Sequence, residues 1–237
     1  MESNTISTNT LILILLIIVA AELLALIGIK LTALPYMAVL GVIRALEIAG
    51  ILWAVIRWEN GLATIGWAPS TWSDGLEKGA VWSMGFALAA GTGMLIVFIA
   101  GQNPLQWLRS PLPDNTLSRV LFFLVGGLIA PVAEEICFRG VIYTYLRDLG
   151  IRIGVIVAPK YADDDHGIRW IKVVAIIFAI ATSTFVFTLL HAFRGIPVTQ
   201  IVGGLVFALA YESSRNLMTP IVIHSLGNLA LFTLSLF

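Results

Sequence analysis

In a chain that is otherwise strongly apolar, the second half carries Glu134, His191, His224 and Asn228. A carboxylate within reach of a water can serve as a general base, and an imidazole beside it can orient that water or share its proton. A second imidazole and an amide NH2 can donate hydrogen bonds to an oxyanion as it develops. These four side chains make up a set for the attack of water on an amide carbonyl, with no covalent intermediate and no metal.

The local spacing says which groups are free to take part. In PVAEEICFRG, Glu134 and Glu135 are adjacent, and successive helical residues diverge by about 100°, so the two carboxylates face different ways. Arg139 follows Glu135 by four residues, in the favourable acid-before-base order. Glu135 and Arg139 are therefore expected to pair, leaving Glu134 on a neighbouring face together with Cys137. Further on, FTLLH places His191 one turn after Phe187, and HSLGN places His224 and Asn228 on one helix face. Ionisable groups inside a membrane span are costly, and they mark either function or a paired structural need. Glu22, Arg44 and Glu47 belong to the same class. Arg44 and Glu47 are spaced for a local ion pair; Glu22 either pairs across to Arg44 or lines a cavity.

The elements that position these groups must be membrane helices. The chain has 237 residues, of which 59% are hydrophobic and 12% charged, where a soluble domain has about a quarter charged. With a formal net charge of zero, nothing suggests nucleic-acid binding. The single cysteine excludes an internal disulfide and a cysteine-based zinc cluster. Spans are expected over 10–29, 35–56, 79–100, 118–146, 171–191, 196–211 and 217–237; most are near the ~20 residues that cross the hydrocarbon, while the fourth is longer and the sixth shorter. The first reads as a retained span, because no Lys or Arg precedes the apolar run. Trp58, Trp107 and Trp170 sit near span ends as interface anchors do, and Pro131 is placed to kink the fourth span. The stretches 57–78 and 147–172 read as polar connections. In the second, Asp163, Asp164, Asp165 and His166 offer oxygen and nitrogen to a cation, but without further ligand spacing a solvated loop is the better reading.

EExxxR (Glu134, Glu135, Arg139), FxxxH (Phe187, His191) and HxxxN (His224, Asn228) fall in order on successive expected spans. In this the chain resembles the CPBP superfamily of intramembrane glutamic endopeptidases, also called the CAAX-protease, bacteriocin-processing or Abi family. The likeness runs over about 121–229, and the spans before it carry none of these motifs. The resemblance implies an all-α, polytopic transmembrane helix bundle of about seven or eight spans with an intramembrane polar cavity. It implies Glu134 as the water-activating base, His191 as its assistant, and His224 with Asn228 as the oxyanion site. Glu135, Arg139 and Phe187 become supporting residues, and Cys137 fills an apolar slot of the first motif and lines the site. The stretch 147–172 is longer than the family's usual connection between the first two motifs.

On this reading the chain is a single integral membrane domain over 1–237. Residues 1–117 form N-terminal spans without a recognised motif, and 118–237 form the catalytic core. The protein is expected to be a multi-pass integral membrane protease (cell inner membrane if prokaryotic), with no metal and no cofactor. It would cut a peptide bond near the C-terminus or the leader of a membrane-associated or lipidated protein or peptide. Its partners are that substrate and the lipid bilayer, with no nucleic acid. Rival chemistries are a cysteine protease on Cys137 and a metalloprotease on Glu134, His191 and His224, the latter lacking HExxH. Outside enzymes, the alternatives are a proton-coupled transporter and a non-catalytic membrane scaffold or immunity protein.

Overall fold

The computed structural model describes residues 5–191 and 198–237, apart from the side chains of Gln106 and Trp107. The beginning of the sixth expected span, Ile196, and one of the expected anchors, the side chain of Trp107, therefore lie outside the described residues. Among the described residues every regular element is a helix. The long ones are α1 (Thr8–Leu31), α2 (Tyr36–Trp58), α3 (Trp72–Ile99), α4 (Thr116–Val157), α5 (Asp165–His191), α6 (Val198–Ser214) and α7 (Met218–Leu234). A one-turn helix, Pro159–Ala162, joins α4 to α5.

Five of these, α1 to α5, are long and apolar enough to cross a membrane. Among the described residues α6 and α7 have 17 residues each, fewer than the ~20 that the hydrocarbon requires. The chain is thus a membrane-embedded α-helical protein, with helices in all seven expected stretches and spanning length in five. Capping residues mark the helix starts. The Ser7 side chain accepts from Thr10 N, and Asn115 Oδ1 accepts from Ser118 N at 2.7 Å, each satisfying an orphan first-turn donor. Trp58 and Trp170 are exposed at helix ends.

The expected polar loop over 147–172 is instead a helical hairpin. α4 continues to Val157, and α5 starts at Asp165. Asp164 caps α5, its Oδ1 accepting from His166 N at 2.7 Å and Gly167 N at 2.8 Å. Among the described residues no group of three or more His, Cys, Asp or Glu is arranged to hold a metal ion. The two helices approach closely because Gly154 is bare: a methyl there would stand 2.5 Å from Ile171 Cγ2. Arg152, Lys160, Arg169 and Lys172 are exposed, so the charges that suggested a loop belong to solvated helix faces. At 42 residues, α4 is about 63 Å long at 1.5 Å per residue, roughly twice the hydrocarbon thickness.

The N-terminal helices share a core with the rest. Ile14 of α1 and Ile51, Ala54 and Val55 of α2 cluster with Ile136, Val141 and Tyr143 of α4, Ala179 of α5, Tyr211 of α6 and Leu217. The α2–α3 connection is tucked under the α6–α7 turn. Tyr211 donates from its hydroxyl to the carbonyl of Ile65 at 3.0 Å, Leu217 N donates to the carbonyl of Gly66 at 2.8 Å, and Asn216 Nδ2 donates to that of Thr71 at 2.6 Å.

The charges of α1 and α2 form one cluster. Arg44 Nη1 lies 2.8 Å from Glu22 Oε1 and also binds Glu47 Oε2. Both the local pair and the cross-helix pair are therefore present, with Glu47 buried and Glu22 half exposed. Removing one partner of a buried pair strands the other charge. Arg44→Met is expected to cost about 3 kcal/mol or more, and Arg44→Met/Glu47→Leu to recover most of that loss. Chemical denaturation of the detergent-solubilised protein, followed by circular dichroism, reads both. A double variant no more stable than the single one would count against this coupling.

Candidate active site

The site is built on an irregular stretch of α4. Over Val125–Ile129 and Ile136–Tyr143 the helix widens to i→i+5 hydrogen bonding. In the first of these, Ala130 N donates to the carbonyl of Val125. The next bond in that register would run from residue 131 to the carbonyl of Gly126, but Pro131 has no N–H. Asn228 Nδ2 supplies the donor instead, at 2.9 Å from Gly126 O. Pro131 is thus accommodated by a widened turn and a side chain from α7. In the second wide stretch, Thr144 Oγ1 donates to the carbonyl of Arg139 at 3.1 Å. Wide turns of this kind occur frequently at functional sites.

Between the two lies the expected ion pair. Arg139 Nη1 donates to Glu135 Oε1 at 2.9 Å, and both side chains are 0% exposed. The same oxygen of Glu135 is 2.7 Å from His224 Nδ1. A carboxylate accepts only, so the Nδ1 of His224 carries the hydrogen and its Nε2 faces the other way. Arg139 also donates from Nη2 to the carbonyl of Gly204 in α6, at 3.1 Å. Three aromatic rings surround its guanidinium, Phe138, Phe187 and Phe207, with centroids at 5.8, 4.8 and 5.3 Å, within cation–π range.

Glu134 is left out of this pairing, as the helix-face argument expects. Its Oε2 stands 3.7 Å from His224 Nε2 and 3.9 Å from His191 Nε2. Both exceed hydrogen-bond length and fall in the range that one bridging water spans. His191 is held by the other half of its motif. Its Nδ1 lies 2.7 Å from the carbonyl of Phe187 and so carries the hydrogen, and the Phe187 ring packs on the imidazole at 4.5 Å. The four-residue spacing of FxxxH serves both contacts. Glu134 and His191 are partly exposed, at 20% and 32%, while His224 is buried.

The structure therefore brings together Glu134, His191 and His224 from α4, α5 and α7, with Glu135, Arg139 and Phe187 packed behind them. Asn228 sits one turn beyond His224, bound to Gly126, with a second amide hydrogen to give. Cys137 packs beside the core cluster, and among the described residues it makes no hydrogen bond to a histidine. Sequence reasoning missed Phe207, whose ring lies 4.5 Å from that of His224 at 19°, and the carbonyls of Gly126 and Gly204. An aromatic in an apolar helix carries no distinguishing signal, and a backbone acceptor carries none at all.

Comparison with known proteins bears on this same segment. Residues 116–230, which hold all of these residues, match the Rce1-like family, described as type II CAAX prenyl endopeptidases. Through this segment, a little under half of the chain, it is similar to the Rce1-like CAAX proteases. It is also similar to the membrane-embedded CAAX protease MroQ of Staphylococcus aureus (strain USA300), with 32% identity over 109 residues. The aligned part is 46% of this chain and 36% of the relative, so the chain matches little more than a third of the relative's length. No solved structure matches the chain. The Rce1-like segment begins at the start of α4 and ends within α7, leaving α1, α2 and α3 outside it.

The proline-for-amide exchange at Gly126 is open to a stability measurement. Asn228→Leu is expected to cost about 1–2 kcal/mol through the unsatisfied carbonyl. In a Pro131→Ala background, where residue 131 regains its N–H, the cost should be smaller. An equal cost in both backgrounds would contradict the assignment.

Proposed function

We propose that this chain is an intramembrane endopeptidase of the metal-independent, glutamic type, with Glu134 as the base that activates water. The observation that carries the proposal is the convergence of Glu134 Oε2 with the Nε2 atoms of His191 and His224, at 3.9 and 3.7 Å. A water held between them is within reach of a carboxylate and of an imidazole lone pair. With its Nδ1 hydrogen given to Phe187, neutral His191 presents an accepting Nε2, which orients the water.

Glu134 takes a proton from the water as its oxygen adds to the scissile carbonyl carbon. The negative charge that develops on the carbonyl oxygen is met by donors from α7. These are the second N–H of Asn228 and the Nε2 of His224 when that atom carries a hydrogen. Glu134 then delivers its proton to the amide nitrogen, the C–N bond breaks, and a carboxylic acid and an amine leave. Glu135 stays an anchor, because its Oε1 is committed to Arg139 and His224.

Location and the family likeness support a substrate class. A site assembled from membrane helices takes a peptide that is itself membrane-associated, through a lipid or an apolar segment near its C-terminus or leader. The likeness to type II CAAX prenyl endopeptidases makes a prenylated C-terminal CAAX tail the first substrate to test.

Glu134→Gln keeps the shape of the side chain and removes the base. The purified variant is expected to cleave an internally quenched S-farnesylated CAAX peptide at least 100-fold more slowly than the parent, which is the scale of general-base catalysis. Exhaustive chelation and Cys137→Ser should leave the parent's rate within about twofold. Comparing membrane-protein termini in cells carrying the two forms extends the test to native substrates. Cleavage that survives Glu134→Gln would sink the proposal.

A further inference from the structure

The imidazole of His224 is restrained from more than one direction. Its Nδ1 is tied to Glu135 Oε1 at 2.7 Å. The Phe187 ring meets it edge-on, at 5.9 Å and 82°. Its face is covered by Phe207 of α6, with ring centroids 4.5 Å apart and planes inclined by only 19°. Of its polar atoms, only Nε2 is left, and it is directed at Glu134. A hydrogen bond at one nitrogen still lets the ring swivel about that bond. A stacked ring removes that freedom, since rotation would break the parallel contact that aromatic pairs favour.

Phe207 is itself seated by its own helix. It is 6% exposed, and four residues earlier stands Gly203. A methyl group at position 203 would come within 3.2 Å of Phe207 Cζ and 3.3 Å of Cε2, tighter than the ring accepts without moving. The backbone of Gly203 is therefore the shelf on which the Phe207 ring lies. The Arg139 guanidinium, 5.3 Å from the ring centroid, adds a contact from α4. Neither Gly203 nor Phe207 belongs to the three sequence motifs, although both lie within the segment that matches the family.

We infer that Phe207, seated on Gly203, is a positioning residue that fixes the His224 imidazole so that Nε2 points into the reaction centre. The inference rests on the proposed role of His224. Two substitutions test it from opposite directions. Phe207→Leu keeps an apolar side chain of similar bulk and removes the ring face. Gly203→Ala keeps every atom of Phe207 but pushes the ring off its shelf, and in a helix interior alanine is preferred to glycine.

The readout is the imidazole 15N–1H spectrum of detergent-solubilised protein labelled at histidine. The chain has only three histidines, and His→Gln variants assign them. Both substitutions are expected to shift the His224 signals and leave those of His166 in place. Cleavage of the S-farnesylated CAAX peptide is expected to fall in kcat about 10-fold for Phe207→Leu and about 3-fold for Gly203→Ala, with KM nearly unchanged, as small misplacement of a catalytic group does. The melting temperature of Gly203→Ala should hold or rise, which separates positioning from loss of fold. In the Phe207→Leu background, Gly203→Ala should have no further effect on kcat. His224 signals that stay put in both variants overturn the inference. Signals that move while cleavage is unchanged uphold the ring's positioning and count instead against the proposed role of His224 in the reaction.

Discussion

The buried ion pair between Glu135 and Arg139 is the contact on which the second half of the molecule depends. Two full charges with no exposed surface are costly to remove from water, and they are tolerated only when geometry and further hydrogen bonds compensate. Here the compensation comes from different helices. Glu135 takes a second donor from His224 on α7, and Arg139 gives a second hydrogen to Gly204 on α6. The guanidinium is enclosed by Phe138 of α4, Phe187 of α5 and Phe207 of α6. The hydrophobic effect does not draw helices together in lipid or fix their register. A charge pair with three further obligations does, and it sets where α5, α6 and α7 stand along α4.

The site is a by-product of that registry. His224 is placed because Glu135 holds it, and His191 because Phe187, which packs on Arg139, also carries the imidazole of the next turn. Glu134 then meets both Nε2 atoms without being bonded to either. Its freedom is as structural a fact as the pairing of its neighbour: the adjacent carboxylate satisfies the arginine and leaves this one without a strong partner. Proximity to two imidazoles without direct hydrogen bonds leaves all three groups available to a small polar reactant.

How much of this was legible in the sequence depends on whether the relevant geometry is local. The Glu135–Arg139 pair and the separation of Glu134 from it follow from i, i+4 spacing on one helix. Arg44–Glu47 was legible for the same reason, whereas the pairing of Glu22 could not be decided because its partner stands on another helix. The all-α, membrane-embedded class follows from composition. The hairpin over 147–172 was misread because charge was taken as a mark of a loop, although on helices that outrun the hydrocarbon it marks only the solvated face. Phe207 was invisible because one phenylalanine among many carries no pattern. The bond from Asn228 to Gly126 was invisible because it exists only in the widened register of α4.

That widened register has a consequence for how the chain tolerates change. Past Tyr143 the faces of α4 are out of phase with those counted at 3.6 residues per turn from its start. Deleting one residue between Val125 and Tyr143 would shorten the helix by only about 1.5 Å, but it would turn everything beyond it by about 100°. Gaps and insertions can accumulate in the connections between helices. Within 125–143 the number of residues is constrained more tightly than their identity, because length there encodes direction.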